Sequence, residues 1–317
     1  MRKHYKIGMV GVGSIGLRHL HNIIHYLDEI QASAVIDLVR SGKGKKLEAE
    51  LEKRIDHIYT EADVIPDDYD IMFITNPTHM HYDTIRRYAA KTRHMFIEKP
   101  VFDDAGADIG GLGLNSGNVY YVACPLRYTA VIQALRKICM EARIFSVRAI
   151  CSSYLPDWRP GSDYRDSYSA HKDQGGGVSI DLIHEWDYLC YLFGTPDKVL
   201  NVRGHFSDLE IDSDDLSIYI AAYGAVTVEL HLDYFGRKAI REVMIFTDQD
   251  TIVGDLTNSE IRFLSSGEVI SFQEEKNDFY KKEIAHFFDL IEGRVKNEND
   301  IRAALKTLRI AKEGELE

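Results

Sequence analysis

The residues able to do chemistry in this 317-residue chain fall into a few short clusters. Gly11-Val12-Gly13-Ser14-Ile15-Gly16 follows a β-prone run from Tyr5 to Val10 and opens an amphipathic stretch reaching about Tyr26. A GxGxxG turn between strand and helix suits a pyrophosphate. The first glycine makes the tight turn, the second lets the backbone approach the phosphates, and the third lets helix and strand pack closely. The helix N-terminus then faces the anion. Gly11, Gly13, Ser14, Ile15 and Gly16 are therefore expected to hold a dinucleotide.

NAD and NADP are told apart at the end of the second strand, where an acidic side chain reads the ribose 2′-hydroxyl and an arginine accepts a 2′-phosphate. Two registers compete. If the strand ends at Ile36, Asp37 is the reader. If it continues through Leu38 and Val39, the tip is Arg40-Ser41, followed by Lys43, Lys45 and Lys46. The continued apolar run favours the second register and, with it, NADP over NAD.

Further along, Glu98-Lys99-Pro100 ends the fourth strand. A lysine at a strand end is often an ordinary loop residue, but the carboxyl edge of a parallel sheet is where doubly wound folds bind ligands. In Asp181-Leu182-Ile183-His184-Glu185-Trp186-Asp187-Tyr188 the apolar residues repeat at helical spacing, continuing through Leu189, Cys190 and Phe193. Asp181, His184, Glu185 and Tyr188 share the opposite face. That pattern turns His184 away from the packing stripe, where it could act as a general base. Asp181, three residues earlier, can reach the same face or cap the helix. The segment Tyr154 to Tyr168 is turn-rich and carries Trp158, Arg159, Tyr164, Arg165 and Tyr168. Aromatic faces suit sugar rings and arginines hold phosphate or carboxylate; the same residue types also suit a protein contact. His79 and His81 form an HxH without an identifiable third ligand, so no metal site is expected.

These clusters need elements to position them. Ala32 to Val39, Asp70 to Thr75, His94 to Ile97 and Val119 to Val122 read as further strands, with helical segments between them, which predicts a doubly wound parallel sheet over 1–122. Between Asp103 and Asn118 five glycines weaken any helix by about 1 kcal/mol each, so a short or irregular segment is expected. From 123 to 317 strands dominate: Phe145 to Ser152, Val199 to Phe206, Leu216 to Ala222, Val226 to Tyr234, Glu242 to Thr247, Thr251 to Asp255, Ser259 to Phe263 and Val269 to Phe272. They predict an α+β domain with a large, mostly antiparallel sheet open on one face. Helices are expected at about Ile132 to Glu141, Asp181 to Phe193, Asp278 to Glu292 and Asp300 to Glu313, the last two free to pack back on the first domain.

Composition sets the frame. At roughly 150 residues per domain the length gives two domains, and 45% hydrophobic residues supply two ordinary cores. A net charge of −12 opposes nucleic acid or any polyphosphate held by bulk electrostatics. Cys124, Cys139, Cys151 and Cys190 show no CxxC pair, which reads as reduced thiols without disulfide or zinc. The start is broken by Gly8, Gly11 and Gly13, unlike a signal-peptide core. No run of about eighteen apolar residues spans a membrane. A cytoplasmic protein is expected.

Taken together, Gly11-x-Gly13-x-x-Gly16, Thr75-Asn76-Pro77-Thr78-His79-Met80-His81, Glu98-Lys99-Pro100 and Gly175-Gly176-Gly177 before the helix of His184 resemble the Gfo/Idh/MocA oxidoreductases, named for glucose-fructose oxidoreductase and inositol dehydrogenase. The resemblance spans essentially the whole chain. It implies NAD or NADP, with Thr75, Asn76, Pro77, His81, Glu98 and Lys99 around the nicotinamide. It implies hydride transfer at a sugar, cyclitol or derivative, with His184 taking the hydroxyl proton and Lys99 stabilising the alkoxide. It also implies a homodimer or homotetramer through the open sheet, and places Arg127 near the substrate as an anion ligand beside Trp158, Tyr164, Arg165 and Tyr168. Similar loops in relatives point to a nucleotide-activated or acidic sugar of surface-polysaccharide synthesis. Family members commonly carry Asp-x-x-x-His, whereas Asp181 precedes His184 by three. Redox-neutral epimerisation or elimination, and non-catalytic sugar sensing, are the alternative uses of the same fold.

Overall fold

The computed structural model describes residues 3–40, 47–60 and 63–314. In chain order the first elements are β1 (His4–Val10), α1 (Ser14–Glu29), β2 (Ser33–Val39), α2 (Ala49–Glu52), β3 (His57–Tyr59), β4 (Tyr69–Ile74), α3 (His81–Tyr88), β5 (Thr92–Ile97) and β6 (Tyr120–Val122). They are followed by α4 (Ala130–Glu141), β7 (Ile144–Tyr154), α5 (Val178–Asp181), α6 (His184–Phe193), β8 (Lys198–Gly204), β9 (Leu216–Tyr223) and β10 (Val226–Asp233). The remainder is β11 (Phe235–Thr247), β12 (Thr251–Asp255), β13 (Glu260–Phe263), β14 (Val269–Ser271), α7 (Asp278–Ile291) and α8 (Ile301–Glu313).

One unit runs to Ala123 and takes back Tyr280–Leu305. Its six strands lie in the order β3-β2-β1-β4-β5-β6, all parallel. Ile71, Met72, Phe73 and Ile74 are fully buried, as a strand covered on both faces requires. The order reverses between β1 and β4, the switch point at which such sheets bind ligands. Register does the rest. Val10 pairs with Val39 and with Ile74, Ile74 with Ile97, and Ile97 with Val122. Gly11, Arg40, Thr75 and Glu98 therefore leave the sheet at one level on its carboxyl edge. β3 was not foreseen, because three residues are too few to show a period. Between Asp103 and Asn118 the chain forms only a short 3₁₀ turn at Ile109–Leu112, capped by the Asp108 carboxylate.

The other unit comprises Cys124–Phe279 and the chain from Lys306. Its eight strands run β14-β13-β12-β11-β7-β10-β9-β8, antiparallel except for the β7–β10 pair. Val147, Ala149, Tyr219, Val228, Leu230, Val243 and Ile245 are buried on one face. Leu200 and Val202 of β8 and Ile220 of β9 stand 58%, 63% and 42% exposed on alternate positions, so the opposite face stays open. The single helix expected over Asp181–Phe193 is two. Ile183 and Glu185 donate to carbonyls only three residues back, Ile180 and Leu182, and Leu182 sits at φ −97°, ψ 28°. This tighter turn separates α5 from α6 and rotates His184 relative to Asp181. No helix is long and apolar enough to cross a membrane among the described residues.

Candidate active site

In the first unit the glycine turn shows why each glycine stands where it does. Gly11 has φ +88°, and a Cβ there would lie 2.6 Å from the Asn76 backbone. A Cβ on Gly16 would lie 2.4 Å from the Gly11 carbonyl oxygen. At Gly13 a Cβ would meet nothing within 4 Å, so the turn is tight at both ends and open in the middle. Gly13 is also the residue before α1, which has no side-chain cap and no acidic residue in its first turn. Its first amides point outward with no carboxylate to repel an anion.

Thr75 fastens this turn. Its hydroxyl donates to the Gly11 carbonyl at 2.5 Å, and its amide donates to Val10 O at 2.8 Å. Asn76 spends its Nδ2 on Thr84 Oγ1 at 2.8 Å, while its Oδ1 is buried without a partner. His81 is fully buried, with Nε2 2.9 Å from Asn76 O and Nδ1 3.1 Å from Pro100 O. Burial lowers its pKa; the surrounding carbonyls work in the opposite direction. His81 thus ties the Asn76 turn to the loop after β5. Pro77 and His79 are exposed.

That loop carries Glu98 and the half-buried Lys99. Glu98 Oε2 accepts the Lys99 amide at 3.1 Å, and Oε1 faces His19 Nε2 at 2.5 Å. Burial pushes the Glu98 carboxyl up, but the His19 hydrogen bond and the charges of His19 and Lys99 outweigh it and hold it below the usual value. His19 escaped sequence reasoning, although a polar residue on the buried α1 face beside Gly16, Leu20 and Ile23 was itself a signal that a partner was needed.

Strand register decides which residue stands at the tip of β2. β2 runs to Val39, Gly11 N donates to Val39 O at 3.0 Å, and Arg40 N donates to Tyr59 O at 3.0 Å. Asp37 is not at the tip. It is 1% exposed, with its carboxylate 2.9 Å from His57 Nδ1 and accepting Tyr69 OH at 2.7 Å. The register that would end the strand at Ile36 and leave Asp37 at its tip is not the one observed. Ser41, Lys43, Lys45 and Lys46 lie outside the described residues.

In the second unit His184 opens α6 and is partly exposed between buried neighbours. The face it shares with Glu185 and Tyr188 is not a solvated one, since both are fully buried. Glu185 lies 2.7 Å from Arg241 Nε, and the neighbouring Asp187 takes both Nε (2.8 Å) and Nη2 (2.7 Å) of Arg127. Arg127, expected to bind an anion, is therefore a buried structural ion pair that also packs on Tyr191. Asp181 does not cap a helix. It is 8% exposed at the end of α5 and accepts the Tyr234 hydroxyl at 2.6 Å. Burial pushes the Tyr168 and Tyr234 phenols up, and the Asp181 charge adds to this, so both stay neutral donors.

The aromatic loop separates into two parts. Trp158 donates Nε1 to Ser153 Oγ at 2.9 Å, stands edge-on to Tyr234 at 5.2 Å, and lines a cavity of about 700 Å³ with Ser152, Asn258, Arg241 and Lys276. Small-molecule sites span roughly 300–1,000 Å³. Arg165 is held by Asp163 (2.6 Å) and Glu210 (2.5 Å), and Tyr164 OH accepts the Glu210 amide at 3.1 Å. The pairing brings the exposed Asp163 carboxyl down to about 2. Arg165 is thus neutralised where it was expected to bind an anion, and Tyr164, Arg165 and Tyr168 do not line the cavity. Among the described residues no group of three or more His, Cys, Asp or Glu side chains is arranged to hold a metal ion.

Comparison with known proteins agrees with this fold. Residues 5–107 match the Gfo/Idh/MocA model, described as an oxidoreductase family with an NAD-binding Rossmann fold. The uncharacterised oxidoreductase YrbE of Bacillus subtilis (strain 168) is 23% identical over 92% of this chain and 87% of its own. A levoglucosan dehydrogenase solved with NADH and levoglucosan superposes with a TM-score of 0.81 at 18% identity, covering 98% of this chain and 95% of that one. UDP-N-acetylglucosamine 3-dehydrogenase from Acidithiobacillus ferrooxidans gives 0.74 at 21% identity, covering 97% and 95%.

Proposed function

We propose that this chain, whose residues 5–107 match the Gfo/Idh/MocA oxidoreductase model, is an NADP-dependent dehydrogenase or reductase acting on a secondary hydroxyl or ketone of a sugar or sugar derivative. The observation that carries this reading is the glycine turn, closed at Gly11 and Gly16 and open at Gly13 before an uncapped helix. The backbone from Gly11 to Gly16, with Thr75, Asn76, Pro77 and His81 after β4, would hold the dinucleotide, and Glu98 and Lys99 after β5 would border its nicotinamide end. Bound there, it supplies the hydride acceptor or donor. Lys99 brings a positive charge to the oxygen that becomes an alkoxide, and His184 takes the hydroxyl proton at an imidazole nitrogen.

Similarity to a levoglucosan dehydrogenase and a UDP-N-acetylglucosamine 3-dehydrogenase supports a sugar substrate. So does the cavity, whose Trp158 ring and small polar side chains suit a polyhydroxylated ring. With Arg127, Arg165 and Arg241 all engaged by carboxylates, Lys276 is the basic residue of the cavity wall left to favour an acidic or nucleotide-activated sugar. The test is reduction of NADP⁺ by levoglucosan, myo-inositol, UDP-N-acetylglucosamine and glucuronic acid. Tight dinucleotide binding with no turnover on any sugar would favour a sensing protein instead.

Arg40 at the strand tip, with Asp37 locked inside, supports NADP. In fluorescence titrations NADPH is expected to bind at least about tenfold more tightly than NADH, through charge-assisted hydrogen bonds to the 2′-phosphate. Arg40→Asp is expected to reverse the order. Equal affinities in the unmodified protein would overturn the preference.

Leu200, Val202 and Ile220 form the exposed apolar part of the open sheet, and we infer that a second copy of this chain covers it. Light scattering is expected to give two or four times the chain mass, reduced to one in L200E/V202E. A monomeric unmodified protein sinks the idea.

A further inference from the structure

We propose that His19 is a positioning residue for Lys99, acting through Glu98. The inference rests on the role given to Lys99 above. His19 lies in the second turn of α1, fully buried, edge-on to Phe96 of β5 at 4.9 Å and to Tyr280 of α7 at 6.1 Å. One Glu98 oxygen faces His19 Nε2 at 2.5 Å and the other accepts the Lys99 amide at 3.1 Å. A single carboxylate thus bridges the helix that opens with the glycine turn to the lysine at the end of β5.

The orphaned ring nitrogen fixes the chemistry of this bridge. His19 Nδ1 is buried with no hydrogen-bond partner. Nε2 is thus the ring nitrogen that engages the carboxylate, and Lys99 adds its positive charge beside it. The groups facing Glu98 are His19 of α1, Lys99 in its own loop, His81 of α3 and Tyr280 of α7, with Arg18 over the Tyr280 ring at 4.6 Å.

Burial favours the uncharged acid. Without the donor from His19, Glu98 takes up a proton. A neutral acid accepts the Lys99 amide more weakly than a carboxylate does, and offers the ammonium no charge to hold it in place. The glycine turn makes no use of Glu98, so dinucleotide affinity is untouched.

The test combines infrared spectroscopy with turnover on the panel sugar oxidised fastest, using the full chain and the variants H19L, H19Q and E98Q. At neutral pH the unmodified protein and H19Q are expected to lack the C=O band of a protonated buried carboxylic acid. H19L should show that band and H19L/E98Q should lose it. Turnover in H19L is expected to fall about 10- to 100-fold, as for a misplaced catalytic group, with dinucleotide affinity unchanged and most of the rate restored in H19Q. E98Q, which keeps the shape of the side chain and the packing of His19, is expected to be as slow as H19L even if H19L folds poorly. Equal losses in H19L and H19Q, a fast E98Q, or the band without a rate loss would each overturn the proposal. If K99M retains full turnover, the reading of Lys99 fails instead, and the infrared result stands apart from it.

Discussion

Replacing Lys99 with methionine is expected to lower kcat about 10²- to 10³-fold, the usual loss when one donor aimed at a developing oxyanion is removed. Methionine keeps the length of the side chain and removes its charge. The backbone is held independently, because Glu98 Oε2 accepts the residue-99 amide and Pro100 and Val101 are buried behind it. The loop should therefore keep its path in the variant. The glycine turn is fastened by Thr75 and makes no use of the lysine side chain, so NADPH affinity is expected to stay within about threefold of the original. A fall in kcat and kcat/KM together would identify an interaction made in the transition state, whereas a rise in KM alone would identify uniform binding. Steady-state kinetics with the sugar oxidised fastest, beside fluorescence titration with NADPH, separates these outcomes. Turnover within about threefold of the unmodified protein, or parallel loss of dinucleotide affinity, would remove Lys99 from the chemistry.

Much of this site could be read from the chain because its parts are local. Each motif follows a strand whose apolar run is visible, and parallel pairing aligns the ends: Val10 with Val39 and Ile74, and Ile74 with Ile97. Gly11, Thr75 and Glu98 come to one edge without any knowledge of side-chain packing. The register of β2 was ambiguous in sequence because an aspartate can sit inside a strand when something satisfies it. His57 and Tyr69, distant in the chain, do so for Asp37.

What escaped the sequence is the choice of partners. Arg127 meets Asp187 sixty residues away, Arg165 meets Glu210 at a separation of 45, and His19 meets Glu98 at 79. Residue type showed that these arginines bind anions; only the folded chain shows that the anions are its own carboxylates. The same holds for α5 and α6. A 3.6-residue period fits Asp181 to Phe193 throughout, yet bonds from Ile183 and Glu185 to carbonyls three residues back break the helix. Face assignments carried across that break fail for Asp181, and Glu185 and Tyr188 prove buried.

In the proposed chemistry, His184 is the residue through which that break would bear on function. Asp181, Leu182, Ile183 and Glu185 to Leu189 are all buried, and His184 alone in this run is partly exposed. The turn at Leu182 lifts the imidazole out of the packing while Asp187 and Glu185 anchor the helix to Arg127 and Arg241. His184→Asn keeps a polar side chain of similar reach that cannot accept a proton, so kcat is expected to fall about 10²- to 10⁴-fold, the range for loss of a general base. Melting temperature and NADPH affinity should hardly move, because neither ion pair nor the glycine turn is touched. With the proton acceptor gone, the decline of kcat on the acid side should vanish. The isotope effect from deuterium at the oxidised carbon should rise as the chemical step becomes limiting. An acid-side decline that persists in the asparagine variant would assign the base to another residue. A rate within about threefold of the unmodified protein would show that this oxidation needs no base at position 184 at all.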